Sequence, residues 1–150
     1  METRIYKEVF FDAAHRRLHY EGKCRNLHGH RWRVEVWLAG EIDPRTGILV
    51  DFNVIREVIE RFDHQVILNE EDPLIECLRR YHDVVTTGGD PSSETLAATI
   101  ERMLEQECHL NGKKARIVNR DACMECGACA LNCPFEALSV EAGVGCAAAV

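Results

Sequence analysis

Cys24-Arg25-Asn26-Leu27-His28-Gly29-His30-Arg31-Trp32-Arg33-Val34-Glu35-Val36-Trp37-Leu38 sets a thiol ahead of an alternating histidine pair, then alternates apolar with charged residues. A period of two marks a strand with one buried face, so residues 28–39 are expected to form one. His28, His30, Trp32, Val34, Val36 and Leu38 share a face; Arg31, Arg33, Glu35 and Trp37 share the other. Both histidines therefore turn the same way, and Gly29 between them is expected to let the backbone approach closely. A metal needs a third ligand. His15 is the best placed, at the end of a strand over 3–15 whose Ile5, Val9, Phe11 and Ala13 have its parity. Three neutral imidazoles and one open position make a catalytic zinc site, whereas structural sites are closed by four ligands.

The chain has 150 residues, 46% of them hydrophobic, enough for one ordinary core and a small appendage. No apolar run approaches the roughly 18 residues of a membrane span, and Met-Glu-Thr-Arg is not a signal-peptide start, so a cytoplasmic protein is expected. A net charge of -7 without clustered Lys and Arg argues against a nucleic-acid partner. Residues 121–150 hold Asp121, Glu125, Glu136 and Glu141 but no Lys or Arg, and most of the cysteines crowd there too. Two units follow: a domain over 1–119 and a tail over 120–150.

Asp43-Pro44-Arg45-Thr46-Gly47 predicts a turn that returns the chain as Ile48-Leu49-Val50, making 30–50 a hairpin. Asp51 is expected to cap a helix over 52–62 with Phe52, Ile55, Ile59 and Phe62 inward and a Glu57–Arg61 surface pair. A loop then runs through Asn69, a short helix from Pro73 to Tyr81, and an extended piece over 83–87. Asp90 as cap with Pro91 behind it opens a helix to Cys108, with Leu96, Ile100, Met103 and Leu104 inward, and 115–119 reads as a last strand. The expected class is α+β, an antiparallel sheet with helices on one face.

Phe11 to His15, Cys24 to Trp32, Thr46-Gly47 with Asp51-Phe52, Asp63-His64 with Leu68-Asn69, and Pro91-Ser92-Ser93-Glu94 occur in one order. Together they resemble the 6-pyruvoyltetrahydropterin synthase and 6-carboxytetrahydropterin synthase family, over about residues 3–118. The resemblance implies the tunnelling fold, a zinc ion held by His15, His28 and His30, and a homo-oligomer, usually a hexamer, with active sites between subunits. It also implies catalysis by Cys24, Asp63 and His64, and a substrate-binding role for Glu94. Taken singly, Cys24 reads as an inert thiol, Asp63-His64 as a helix-terminus pair, and Glu94 as a carboxylate complementing a helix dipole. Their joint order carries the reading.

Three residues separate Cys24 from His28-Gly29-His30, similar to the queuosine-type 6-carboxytetrahydropterin synthases; the tetrahydrobiopterin branch typically has a longer gap. By resemblance the substrate is 7,8-dihydroneopterin triphosphate, and the products are 6-carboxytetrahydropterin, acetaldehyde and triphosphate. Near a divalent cation and flanked by Lys23 and Arg25, Cys24 is expected to hold a stabilised thiolate able to take a proton, with Asp63 orienting His64 as donor or relay. The chain departs from the family past Val118. Ile117-Val118-Asn119-Arg120-Asp121 runs straight into cysteines where members carry a pterin-anchoring glutamate, leaving Asp121 or Glu125 as a substitute.

Cys123-x2-Cys126-x2-Cys129-x3-Cys133-Pro134 has the bacterial ferredoxin spacing, which fits a [4Fe-4S] cluster better than zinc. The fourth ligand is Cys133 or, alternatively, Cys146 in Gly143-Val144-Gly145-Cys146. The tail looks like half a ferredoxin module and implies a redox partner protein. Two functions follow from the sequence: a zinc-dependent synthase with a fused electron-transfer module, or a tunnelling-fold protein that has lost synthase activity and serves as a scaffold or electron carrier.

Overall fold

A computed structural model describes residues 2–108 and 114–118. Strands β1 (Thr3–His15) and β2 (His28–Gly40) pair antiparallel along their whole length, from Thr3 opposite Gly40 to His15 opposite His28. The alternation read from the sequence holds on both. Val9, Phe11, Ala13 and His15 are buried, as are Trp32, Val34, Val36 and Leu38, while Tyr6, Phe10 and Trp37 are exposed on the opposite face. Glu35 belongs to that second face yet is also buried, bridged by Arg33, which reaches Glu8 as well.

Helix α1 (Phe52–Glu60) begins at Asp51, whose Oδ1 accepts from the Asn53 N–H at 2.8 Å. It buries Ile55, Val58 and Ile59, with Phe62 just beyond, but leaves Phe52 exposed. The surface pair differs from expectation. Arg56 meets Glu60 at 3.5 Å, and Arg61 reaches Glu107 instead of Glu57. Helix α3 (Ser93–Glu107) sends Leu96, Ile100 and Leu104 into the same core. Its cap is Ser92, accepting from the Thr95 N–H at 3.2 Å, because the Asp90 carboxylate is held by the His19 N–H and by Asn69. Phe11 joins the layers, its ring 5.8 Å from Trp32 and 5.7 Å from Phe62.

The sheet is mixed, in the order β4-β3-β1-β2-β5, not purely antiparallel. β3 (Val66–Asn69) runs parallel to β1, and β4 (Val84–Thr87) parallel to β3, with α2 (Leu74–Leu78) between them; β5 (Lys114–Val118) is antiparallel to β2. β3 fell within the expected loop through Asn69. Ile67 and Leu68 are both fully buried, so the strand carries no alternation to read. The expected 30–50 hairpin is absent. Both edges of β2 are taken, by β1 and β5, so Ile48 to Val50 has no strand to join. Residues 43–48 instead close on themselves, with the Gly47 N–H donating to the Asp43 carbonyl at 2.8 Å and Gly47 in the left-handed region at φ 71°.

The long β1–β2 connection, residues 16–27, is tied to the body of the domain. Arg16 donates two hydrogen bonds to Asp72, at 2.6 and 2.7 Å, and the Asp72 side chain is wholly buried. Burial alone would raise the Asp72 carboxyl, but the Arg16 hydrogen bonds and the Leu74 N–H outweigh it and hold the group below the usual carboxylate range. This contribution is therefore present at neutral pH and lost as pH falls through the depressed folded value. Asp72→Ala strands the guanidinium and is expected to cost about 3 kcal/mol in urea unfolding.

Candidate functional site

The β1–β2 register places His15 opposite His28 and Ala13 opposite His30, so the three imidazoles occupy one direct and one diagonal cross-strand position on a single face. Their ring centroids lie 4.6, 5.1 and 4.8 Å apart, and one nitrogen from each falls within 4.8 Å of the others. Trp32 closes the site from the core side, its ring 4.9 Å from His15 and 5.6 Å from His30.

Two backbone carbonyls settle the tautomers. His15 Nδ1 lies 2.7 Å from the Pro91 oxygen, and His28 Nδ1 lies 2.6 Å from the Asn26 oxygen. A carbonyl only accepts, so each Nδ1 carries the proton and each Nε2 presents a lone pair. Those two Nε2 atoms are 3.1 Å apart, and His30 Nε2 is buried without a hydrogen-bond partner among the described residues. Converging lone pairs repel unless a cation stands between them. Nitrogens bound to tetrahedral zinc at about 2.0–2.1 Å stand roughly 3.3 Å apart, so the donor set fits that ion. Burial pushes His15 down to about 4, and burial followed by the nearby His28 lowers His30, so both imidazoles are neutral at pH 7, the form a metal requires. Carbonyl-held imidazoles of this kind are characteristic of metal sites. Gly29 plays a smaller part than expected: a Cβ there would meet only the Ala13 oxygen, at 3.9 Å, an ordinary contact.

Cys24 lies in a single 3-10 turn, Lys23–Arg25, and is 5% exposed. Its carbonyl accepts from the Arg17 N–H at 2.8 Å, tying the turn back to the end of β1. Asp63 and His64 follow α1 and attach to the outer edge of β1. Asp63 Oδ1 accepts from the Asp12 N–H at 2.8 Å, Asp63 Oδ2 lies 2.7 Å from His64 Nδ1, and the His64 N–H donates to the Asp12 carbonyl at 2.6 Å. His64 has φ 57°, a left-handed conformation costing a non-glycine residue roughly 1–2 kcal/mol, held here by that double anchor. Its side chain is 80% exposed. The hydrogen bonds found for the pair go to Asp12, to Glu60, to Gln65 and to each other, not to the three histidines.

The Asp63 side chain, by hydrogen bond and then by charge, raises His64 above its ordinary 6.5, while the Asp12 N–H and then His64 hold Asp63 low. The imidazole is thus the protonated partner until pH climbs through that raised value. An NMR titration is expected to place His64 above 6.5 and to show it falling back toward 6.5 in Asp63→Asn.

Glu94 is exposed in the first turn of α3 and lines an open groove of about 420 Å³ with Gly88, Thr95 and Arg102. None of the three histidines lines that groove, although the approach to α3 touches the histidine cluster through the Pro91 carbonyl on His15. Sequence reasoning missed the orienting carbonyls of Asn26 and Pro91 and the Arg16–Asp72 brace. A carbonyl has no side-chain identity to read, and the brace joins residues 56 apart. Cys123, Cys126, Cys129, Cys133 and Cys146 lie outside the described residues. No helix among the described residues is long and apolar enough to cross a membrane.

The family profile described as 6-pyruvoyl tetrahydropterin synthase matches residues 4–129. A 6-carboxy-5,6,7,8-tetrahydropterin synthase of Synechocystis sp. is 37% identical over 108 residues, 68% of this chain and 74% of that protein. A putative enzyme of the same name from Pyrococcus abyssi is 46% identical over 72 residues, which span 47% of this chain and 45% of that one. Among solved structures, an uncharacterized protein from Wolinella succinogenes superposes with a TM-score of 0.61 at 22% identity, covering 79% of this chain and 93% of that one. The 6-pyruvoyl tetrahydropterin synthase of Plasmodium vivax gives 0.57 at 20% identity, covering 79% and 99%. The structural likeness establishes a shared α+β fold, and the sequence match spans the strands that carry all three histidines. The chain belongs to the 6-pyruvoyl tetrahydropterin synthase family of enzymes.

Proposed function

We propose that this chain is a zinc-dependent 6-carboxytetrahydropterin synthase of the queuosine branch, converting 7,8-dihydroneopterin triphosphate to 6-carboxytetrahydropterin, acetaldehyde and triphosphate. The observation that carries the reading is the convergence of three imidazole nitrogens, with Cys24 separated from His28 by three residues. The relatives named as 6-carboxytetrahydropterin synthases support this branch over 6-pyruvoyltetrahydropterin synthase activity.

His15, His28 and His30 would hold the zinc, which when bound supplies Lewis-acid polarisation of side-chain hydroxyls on the substrate. Cys24, buried between the exposed Lys23 and Arg25, takes a proton from the substrate side chain. His64, made more basic by Asp63, returns one. Its ring is largely exposed whereas Cys24 is buried, which supports a site shared between subunits of a homo-oligomer, a hexamer by family resemblance. The open sheet face bearing Tyr6, Phe10 and Trp37 is the surface available for that assembly. Glu94 contributes to substrate binding from the α3 end.

The cysteine run at 123–133 is proposed, on spacing alone, to hold a [4Fe-4S] cluster, with Cys133 or Cys146 as fourth ligand, serving a redox partner. The second reading, an electron-transfer or scaffold protein without synthase activity, draws on the missing pterin-anchoring glutamate. An anaerobic assay with dihydroneopterin triphosphate separates the two. Acetaldehyde formed only with zinc supports the synthase; acetaldehyde without zinc defeats this mechanism, and a zinc-loaded, iron-containing protein that forms none establishes the second reading.

A further inference from the structure

The β1–β2 connection carries four cations, Arg16, Arg17, Lys23 and Arg25, and one acid, Glu21. Arg16 is committed to Asp72. Arg17 has a different setting: its guanidinium lies over the Tyr20 ring, 4.4 Å from the centroid, and its Nε is buried without a hydrogen-bond partner among the described residues. The Tyr20 ring is itself seated on Gly22, where a Cβ would come within 2.8 Å of the ring at a backbone φ of 153°. The Arg17 N–H bonds the Cys24 carbonyl, and its charge is felt at His15. A glycine, an aromatic ring and a guanidinium thus pack together in one loop, the loop that joins the two histidine-bearing strands and carries Cys24. A buried donor left unpaired is a cost that folds rarely carry unless something else satisfies it.

We propose that Arg17 is an anion-recognising residue that binds phosphoryl oxygens of the substrate beside the three histidines. The guanidinium fork matches phosphate geometry, and stacking on Tyr20 pre-organises it. The phosphoryl assignment rests on the synthase reading, because that substrate carries a triphosphate; the anion subsite itself rests on the loop.

The test uses inorganic triphosphate without any pterin, titrated calorimetrically into zinc-loaded protein, with metal content measured afterwards. A parallel titration into metal-free protein excludes capture by the metal. Wild type is expected to bind in both forms. Arg17→Gln should weaken binding at least about tenfold with zinc content unchanged, and Arg17→Lys should recover part of the loss. Equal affinity in wild type and Arg17→Gln overturns the proposal, as does binding that disappears with the metal. Because no turnover is measured, a protein that forms no acetaldehyde leaves this result standing, and failure here leaves the synthase assay untouched.

Discussion

Replacing His28 with alanine is expected to give a folded protein that no longer retains zinc. Of the three candidate ligands it is the cleanest to remove. His15 is 3% exposed and packs edge-on against Trp32, so its loss would also open the core, whereas His28 is half-buried at the start of β2. Two imidazoles cannot replace the trio. Loss of an outer-sphere partner alone costs metal sites about 10–100-fold in affinity, and removal of a ligand itself should exceed that. Elemental analysis after desalting, alongside a thermal melt, checks both halves; stoichiometric zinc in a well-folded variant would remove the histidine trio from the metal assignment.

Cys24→Ala is the complementary case, with zinc kept and turnover lost. The substitution removes one sulfur from a turn held by the Arg17–Cys24 backbone hydrogen bond, which alanine still makes. The fold and the histidines should therefore be unaffected. Removing a positioned base typically costs about 10²–10⁴-fold in rate, so kcat should fall by that order at unchanged metal content. Wild-type turnover would eliminate the cysteine as a proton acceptor and leave the exposed Asp63–His64 pair as the remaining acid–base group.

β1 and β2 were legible because each is long, with one buried face, so the period of two repeats often enough to be read. The grouping of His15, His28 and His30 on one face followed from that parity. What the pattern did not hold was the partner of each edge: β2 is completed by β5, some 75 residues further along, and local alternation carries no sign of it. β3 was hidden for the opposite reason, since burial on both faces erases alternation. Asp90 and Ser92 show the same limit at smaller scale. Either residue suits a helix cap, and only the distant claims of His19 and Asn69 on Asp90 decide between them. Side-chain ligands left a trace in the spelling of the chain, while the carbonyls that aim them did not.

The heading of β5 is set by its register on β2. Lys114 lies opposite Ala39 and Val118 opposite Glu35, so the polypeptide travels along β2 from its far end toward the histidines. Five residues of β2 separate Glu35 from His30, and the same number separate Val118 from Cys123. An extended strand gains about 3.3 Å per residue, so the β2 interval from Glu35 to His30 measures roughly 17 Å. The last described strand thus has a fixed aim: its C-terminal end points along β2 toward the strand end that bears His28 and His30, on the flank of the sheet opposite the Asp63–His64 anchor.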